Sequence, residues 1–362
     1  MRKPQLDGLR FILFLMVFAV HYAPDPRKLW FFGYALPCFF VLSGFLITMV
    51  LLAADGPDLA TNLRVFYLRR FLRICPSYFL VLGLLAAIGS MTHPGYFATY
   101  LVNIKLFAIS LDPTSPEFLA WMDGGWRRGN WHLWSLSAEE QFYILWPLAL
   151  YLTPTRLRTA MLFGLVVFSI ASRIVFMKYL PDVFFGALLP GCMEYFAWGC
   201  LFAWWESRRR LAALPPGPVL YASLGCIAIA IAMQYLAGPR GFLQFVTTHY
   251  QTPIALAFGF LIWTLWALPR QHEIVRILSF RPFVYFGEMS YTCYLVHLVA
   301  RDVFLATGID LPFSNYVDGV IGAFVLTLVM AMAIWHLFEK PIYGLRRHLP
   351  YGGPRTAVAQ ST

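Results

Sequence analysis

Gln5-Leu6-Asp7-Gly8-Leu9-Arg10, then ten residues from Phe11 to Val20 without charge or amide, then His21, is the stretch that decides the fold. A helix needs about 20 residues to cross the hydrocarbon of a bilayer. Counting from Arg10 leaves too few before Pro24, so Asp7 and Arg10 enter the membrane with the helix. Arg10 and His21 are eleven residues apart. That is close to three whole turns, which puts both on one helix face about 16 Å apart. Asp7, three residues before Arg10, falls on nearly the same face. Ionisable groups inside a membrane are costly and normally face a partner or a cavity. The alternative has Arg10 snorkelling to the headgroups and His21 at the opposite water boundary. It leaves the alignment of three ionisable residues to chance.

The rest of the chain agrees with a membrane environment. Of its 362 residues, 59% are hydrophobic and 13% charged, and the mean hydropathy is +0.64. This composition predicts an all-α, polytopic membrane helical bundle. Spans are expected near 5–24, 30–54, 75–92, 131–152, 159–178, 184–205, 218–237, 252–268, 284–306 and 317–338. The apolar stretch 96–110, interrupted by Asn103 and Lys105, is too short to cross and reads as an interfacial or re-entrant helix. With ten spans and both termini in the cytoplasm, most basic residues fall on the inner side. Among them are Arg2 and Lys3, Arg69, Arg70 and Arg73, Arg156 and Arg158, Arg208 to Arg210, Arg270, Arg276 and Arg281, and Lys340, Arg346 and Arg347. An additional span at 96–110 would invert every later loop.

The formal charge of +10 sits in these clusters, so it reports topology and membrane-surface contact. No segment is long enough to make a nucleic-acid module. The first run lacks a small-residue cleavage site and reads as an uncleaved span. The six cysteines, Cys38, Cys75, Cys192, Cys200, Cys226 and Cys293, lie in or beside apolar runs without C-x-x-C spacing. They read as small buried hydrophobes, with no disulfide framework and no metal site expected. One transmembrane domain is expected over 1–345, followed by a short cytoplasmic tail over 346–362, read as disordered.

Polar residues at helical spacing mark candidate chemistry. In Tyr67-Leu68-Arg69-Arg70-Phe71-Leu72-Arg73, the arginines project together, with planar forks that match phosphate oxygens. Topological charge against lipid headgroups is the equally weighted alternative. His132, Ser135, Glu139 and Tyr143 step by three or four and form one polar stripe, with Glu140 read as a boundary residue. Ser290, Tyr294, His297 and Arg301 share a second face, His297 having a structural or binding role. Ser43-Gly44 reads as a helix-packing pair, and Glu339 as an interfacial cap or partner of basic loop residues.

Five motifs in order resemble the acyltransferase-3 family, membrane enzymes that O-acylate sugars of cell-surface and secreted glycans. They are Arg-x10-His at Arg10 and His21, Phe-Phe-x-Leu-Ser-Gly at Phe39 to Gly44, and Arg-x-x-Arg at Arg70 and Arg73. Trp-Ser-Leu-Ser-x-Glu follows at Trp134 to Glu139, and Ser-Tyr-x-x-Tyr-Leu-x-His at Ser290 to His297. The resemblance implies ten core spans in a bacterial inner (cytoplasmic) membrane. It also implies an acyl-CoA donor, acetyl-CoA above all, met from the cytoplasm, and a glycan or lipid-linked sugar acceptor on the outer side. No permanently bound cofactor is expected. Some members carry a fused extracytoplasmic esterase-like domain. The length of this chain leads to the expectation that the spans transfer the acyl group alone or with a separate partner.

Acyl transfer to a hydroxyl requires a base, and histidine is the usual one. His21 is the candidate, with Arg10, Asp7 and Glu139 as the other catalytic residues. Arg70, Arg73 and Arg69 are placed on the donor's phosphates. His132, Ser135, Tyr143, His297, Ser290 and Tyr294 are placed on the substrate. A transporter or flippase with a central ionisable relay is the alternative. It would be favoured by inverted repeats, which are not evident. The Asn and His placement of the other large polytopic O-acyltransferase type is not recognisable. The soluble His-x4-Asp signature is missed by one residue at His21 to Asp25.

Overall fold

A computed structural model describes residues 3–23, 26–54, 56, 58–87, 91–123, 130–180, 183–245, 251–306 and 315–349. Asp25, residues 124–129 of the Asp112–Asn130 loop and the tail from 350 lie outside the described residues. Within them the chain is helical, without strands. The helices are α1 Pro4–Tyr22, α2 Ala35–Leu52, α3 Leu59–Ala87, α4 Pro94–Ala98, α5 Val102–Ser110, α6 Pro116–Met122, α7 Trp134–Leu152 and α8 Arg158–Tyr179. They continue as α9 Leu189–Ser207, α10 Pro216–Phe245, α11 Gln251–Ala267, α12 Glu273–Leu278, α13 Arg281–Glu288, α14 Ser290–Ala306, α15 Asn315–Ile334 and α16 Lys340–Gly344.

Each of the ten expected segments contains a helix. Six helices are long and apolar enough to cross a membrane by length and composition: α1, the segment ending in α2, α3, α8, the described part of α10, and α15 with its continuation. The bundle is a helical membrane fold; the crossing count of ten exceeds what length and apolarity alone establish. Of the expected spans outside the six, the one in α7 carries Glu139 and Glu140, and α9 carries Glu194 and Glu206. The helices α11 and α14 have only 17 residues each.

Two boundaries differ from the expectation in ways that shape the site. Helix α3 starts at Leu59 instead of Cys75, so Arg69, Arg70 and Arg73 stand on one continuous helix that runs through Pro76. The span expected at 284–306 breaks at Met289 into α13 and α14. At the break, a side chain on Gly287 would meet the Asp7 carbonyl oxygen at 1.9 Å, so α13 lies hard against α1.

Helix α1 joins two packed regions. Its Leu6, Leu9, Leu13 and Val17 belong to the large core with α2, α7, α8, α9 and α11. Its Phe11, Phe14, Phe18 and Tyr22 pack with residues of α14 and α15. In the large core α2 crosses α9 at backbone contact. A Cβ on Gly44 would lie 2.3 Å from the Phe196 carbonyl oxygen, and one on Gly199 would lie 2.0 Å from that of Val41. Small residues allow this approach, where packing replaces the missing hydrophobic drive between helices. The pair α8 and α9 is joined by a buried ion pair from Arg173 to Glu194.

The stretch 96–110 is two short helices around a turn at Tyr100 (φ 53°), whose ring stacks 4.2 Å from that of Tyr78. Asn103 is buried and exchanges hydrogen bonds with Gln141 of α7. A nine-residue α5 cannot cross a bilayer, in line with the interfacial or re-entrant reading. All six cysteines are free; Cys38, Cys192, Cys200 and Cys293 are buried, Cys75 is half-buried, and Cys226 is exposed, against expectation.

Candidate functional site

Five helices meet at a narrow chamber of about 90 Å³. Helix α1 contributes Arg10; α2, Ser43; α3, Arg70 and Arg73; α7, Ser135, Glu139, Glu140 and Tyr143; and α14, Ser290, Tyr291 and Tyr294. The sequence places these residues at helical spacing, and the helix crossings turn their stripes toward one another. Leu36, Phe39, Phe40, Ile74 and Leu136 supply the apolar part of the wall. Glu139 accepts hydrogen bonds from the hydroxyls of Ser43 and Tyr143. The Arg70 guanidinium lies over the Tyr143 ring, 3.7 Å from its centre. Arg10 pairs with Asp7 at 3.4 Å.

A wider cavity of about 490 Å³ shares Arg70 and Arg73 with the chamber. Arg69, Arg346 and Arg347 complete its charged lining, with Tyr343, and among the described residues no carboxylate lines it. Arg346 and Arg73 lie over the Tyr343 ring, 4.0 and 5.2 Å from its centre. Arg69 Nε donates to the Leu349 carbonyl at 2.6 Å. The five guanidiniums carry planar forks of the shape that suits phosphate oxygens.

Beside Tyr294, and outside the chamber's lining, stand three histidines. The His297 ring is 4.9 Å from His21 and 4.8 Å from His132, centre to centre. His132 and His297 are buried, whereas His21 is partly accessible. Among the described residues no three His, Cys, Asp or Glu side chains are arranged to hold a metal. Tyr294 connects this cluster to the chamber. Its hydroxyl contacts Ser135 Oγ at 2.7 Å and donates to the His132 carbonyl at 2.8 Å. Its ring lies 5.2 Å from His132 and 5.4 Å from His297.

The structure therefore gathers the expected residues but divides them. Arg10, Arg70, Arg73, Ser135, Glu139, Tyr143, Ser290 and Tyr294 line the chamber, Asp7 pairs with Arg10, and Arg69 lines the wider cavity. His132, expected on the stripe of Glu139, belongs instead to a 3-10 turn before α7 and joins His21 and His297. The order along the helices is telling. Helices α1 and α14 reach the chamber (Arg10; Ser290, Tyr294) before the histidines (His21; His297). The chain entering α7 passes His132 first. So α7 runs opposite to α1 and α14, as an alternating topology requires.

Three residues have roles that the sequence reading missed. Ser43 bonds Glu139 while its neighbour Gly44 packs on α9. Glu140 lines the chamber, with Oε1 buried and without a hydrogen-bond partner. The signal was the doubled carboxylate at the entrance of an apolar helix. Glu339, expected at the interface, is 2% exposed. It accepts from Ser77 Oγ at 3.2 Å and from the Thr292 hydroxyl. It closes a π-helical turn, Trp335–Glu339, and nothing in the local sequence announces that change of pitch.

The chain is 27% identical to a putative peptidoglycan O-acetyltransferase of Bacillus subtilis, over 94% of this chain and 54% of that one. It is 27% identical to a peptidoglycan O-acetyltransferase of Listeria monocytogenes, over 81% and 48%. It is also 27% identical to a putative O-acetyltransferase of Staphylococcus aureus, over 93% and 57%. The chain thus spans about half the length of the curated relatives it matches. No solved structure matches it. The acyltransferase domain family matches residues 3–336, and the chain belongs to that family, the acyltransferase-3 group that its motifs resemble.

Proposed function

We propose that this chain is a membrane O-acyltransferase. It moves an acyl group, acetyl in the first instance, from acyl-CoA to a hydroxyl of a cell-surface or secreted glycan. Peptidoglycan is the acceptor named for two relatives. The observation that carries the reading is the pair of cavities joined at Arg70 and Arg73, with histidines beyond the narrower one. The wide arginine cavity matches the phosphorylated head of coenzyme A. The narrow chamber matches its slender thioester arm. Donor phosphates sit on the cytoplasmic side of a bacterial inner membrane in this reading, with ten spans and both termini inside. Reporter fusions after Arg210 test the topology: an outer-side signal there would overturn it.

His21 acts as the base. Its Nδ1 lies 2.9 Å from the Val17 carbonyl and carries the ring proton, so Nε2 is the basic nitrogen. The acceptor hydroxyl gives its proton to Nε2 as its oxygen attacks the thioester carbonyl. Arg10 and the hydroxyls of Ser135 and Tyr294 lie along the arm and hold it. The test is acyl transfer per folded molecule in nanodiscs, with acetyl-CoA and soluble peptidoglycan fragments, for wild type and His21→Ala. Loss of a positioned base typically lowers the rate about 10²–10⁴-fold. Near-normal turnover in His21→Ala would remove it from the mechanism. A transporter would form no acylated product even as wild type.

A further inference from the structure

Arg156 and Arg158 stand where α8 begins, and Arg208, Arg209 and Arg210 where α9 ends, and none of the five lines either cavity. One buried ring joins the two groups. The guanidiniums of Arg208 and Arg158 lie over Trp204, 4.6 and 5.1 Å from its centre. The ring is fixed in turn, its Nε1 donating to Thr159 Oγ1 at 3.1 Å. Arg158 Nε donates to the Thr153 carbonyl at 3.2 Å, and Arg210 reaches Thr159 Oγ1 at 3.5 Å. Arg209 has a left-handed backbone (φ 55°), which folds the chain back so that the Arg210 N–H bonds to the Trp205 carbonyl at 2.9 Å. Glycine is the usual residue at such a helix end, and here an arginine takes its place.

Two cations on one ring lie within the screening length of about 10 Å at 0.1 M salt, and the Arg208 charge acts against that of Arg158. The ion pairs among the described residues all lie elsewhere. Glu206, the carboxylate next to the cluster in sequence, accepts from Trp263 Nε1 at 2.8 Å. Fixed planar forks in this setting call for an anion with several oxygens, and phosphate is the general case.

The place in the fold names the source of the phosphate. The chain runs from His132 through α7, past Tyr143 with its Arg70, to Leu152, so the cluster lies at the end of the bundle away from the histidines. Beside it Leu152 and Leu157 are 71% and 49% exposed. Farther along α8, Phe163, Val167, Phe168, Ile174 and Val175 are exposed and share its outward face. We propose that Arg158 and Arg208, held on Trp204, bind the phosphate of an acidic phospholipid whose acyl chains lie along this apolar face. Arg156, Arg209 and Arg210 add charge. A soluble phosphate would use the arginines alone, whereas a phospholipid also uses the leucines and the face of α8. Under the topology above, the site meets the cytoplasmic leaflet, where acidic lipids attract basic residues. Topology requires only a count of positive charges on one side. Forks fixed on a shared ring are a separate feature. The site does not depend on the acyl-transfer reading and stands whether or not an ester is formed.

The experiment uses the full chain in neutral detergent micelles. Phosphatidylglycerol is titrated in, and bound lipid is counted by native mass spectrometry. Arg158→Gln with Arg208→Gln should remove one tightly bound phosphatidylglycerol, its affinity falling at least about tenfold. Arg158→Lys with Arg208→Lys keeps both charges and so the topology, but loses the forks; that lipid should weaken at least about threefold. Arg270→Gln with Arg276→Gln removes as much charge from exposed positions elsewhere and should keep it. In wild type, phosphatidylcholine should not fill the site, and millimolar inorganic phosphate should not displace phosphatidylglycerol from it. Four results would each overturn the proposal. They are retention of the lipid by the glutamine pair, full affinity in the lysine pair, an equal loss in the Arg270 and Arg276 pair, and equal binding of phosphatidylcholine. Displacement by inorganic phosphate would make the ligand a soluble anion and overturn it too. The last two comparisons use wild type alone and decide the matter even if the glutamine pair fails to fold.

Discussion

Tyr143 carries the Arg70 guanidinium on its ring face, 3.7 Å from the centre, while its hydroxyl donates to Glu139. One side chain thus sets a cation and a carboxylate at the junction of the two cavities. A cation over an aromatic face is worth about 0.5–2 kcal/mol. Tyr143→Leu should weaken acetyl-CoA binding about two- to thirtyfold, as measured by titration of the purified protein. Tyr143→Phe keeps the face and should stay within about twofold of wild type. Equal losses in both variants would move the effect from the ring to the hydroxyl.

Glu339 gives the two hydroxyls of Ser77 and Thr292 their acceptor in a buried setting. It also acts electrostatically on Arg73. Glu339→Ala should cost about 1–3 kcal/mol of stability, because buried donors lose their partner. Glu339→Gln keeps an acceptor oxygen and should cost less. Thermal unfolding in detergent ranks the two. The acetyl-CoA KM should fall in both variants, because Arg73 keeps its charge and loses a carboxylate that competes with the donor phosphates. An alanine variant as stable as wild type would return Glu339 to the interfacial role.

The α2–α9 crossing depends on absent side chains. Gly199→Ala puts a methyl 2.0 Å from the Val41 carbonyl oxygen, so the helices must separate. Overpacking of this kind costs about 1–3 kcal/mol. Gly164→Ala on α8 is the control, since nothing lies within 4 Å of the added carbon. It should leave the melting temperature unchanged or slightly raised, as alanine favours a helix by about 0.5–1 kcal/mol. Equal effects at the two positions would contradict the packing.

Outside the bundle, Glu117 of α6 joins Lys105 and His93, both at 2.8 Å. Partial burial opposes its charge, but the Lys105 hydrogen bond and charge, with His93, outweigh it and hold the carboxyl below its ordinary value. A carboxylate depressed in the folded state adds stability that is present above its unfolded pKa and is lost as pH falls through the folded one. Hydrogen-exchange protection of residues 94–122, corrected for intrinsic rates, should therefore drop on acidification below about pH 4. In Glu117→Gln the protection at neutral pH should already match the acid value. Protection that is insensitive to both changes would leave the contact without energetic weight.

Helical periodicity alone determined which residues lie together on each helix. Asp7 and Arg10 pair because three residues make nearly one turn, and Ser290 and Tyr294 line one wall for the same reason. Hydropathy determined the class of fold, since runs this apolar must be buried in protein or lipid. Only the tertiary structure decided that the stripes split between a chamber walled by Arg10, Arg70 and Arg73 and a histidine cluster. That division comes from how α1, α7 and α14 cross, and crossing is set by contacts remote in sequence. Ser43 meets Glu139 across 96 positions of chain, and Glu339 meets Thr292 across 47. No local pattern records such partners. The tautomers of His132 and His297 are the extreme case: one carbonyl, that of Tyr294, accepts from both, and it does so because α14 lies beside the turn that carries His132.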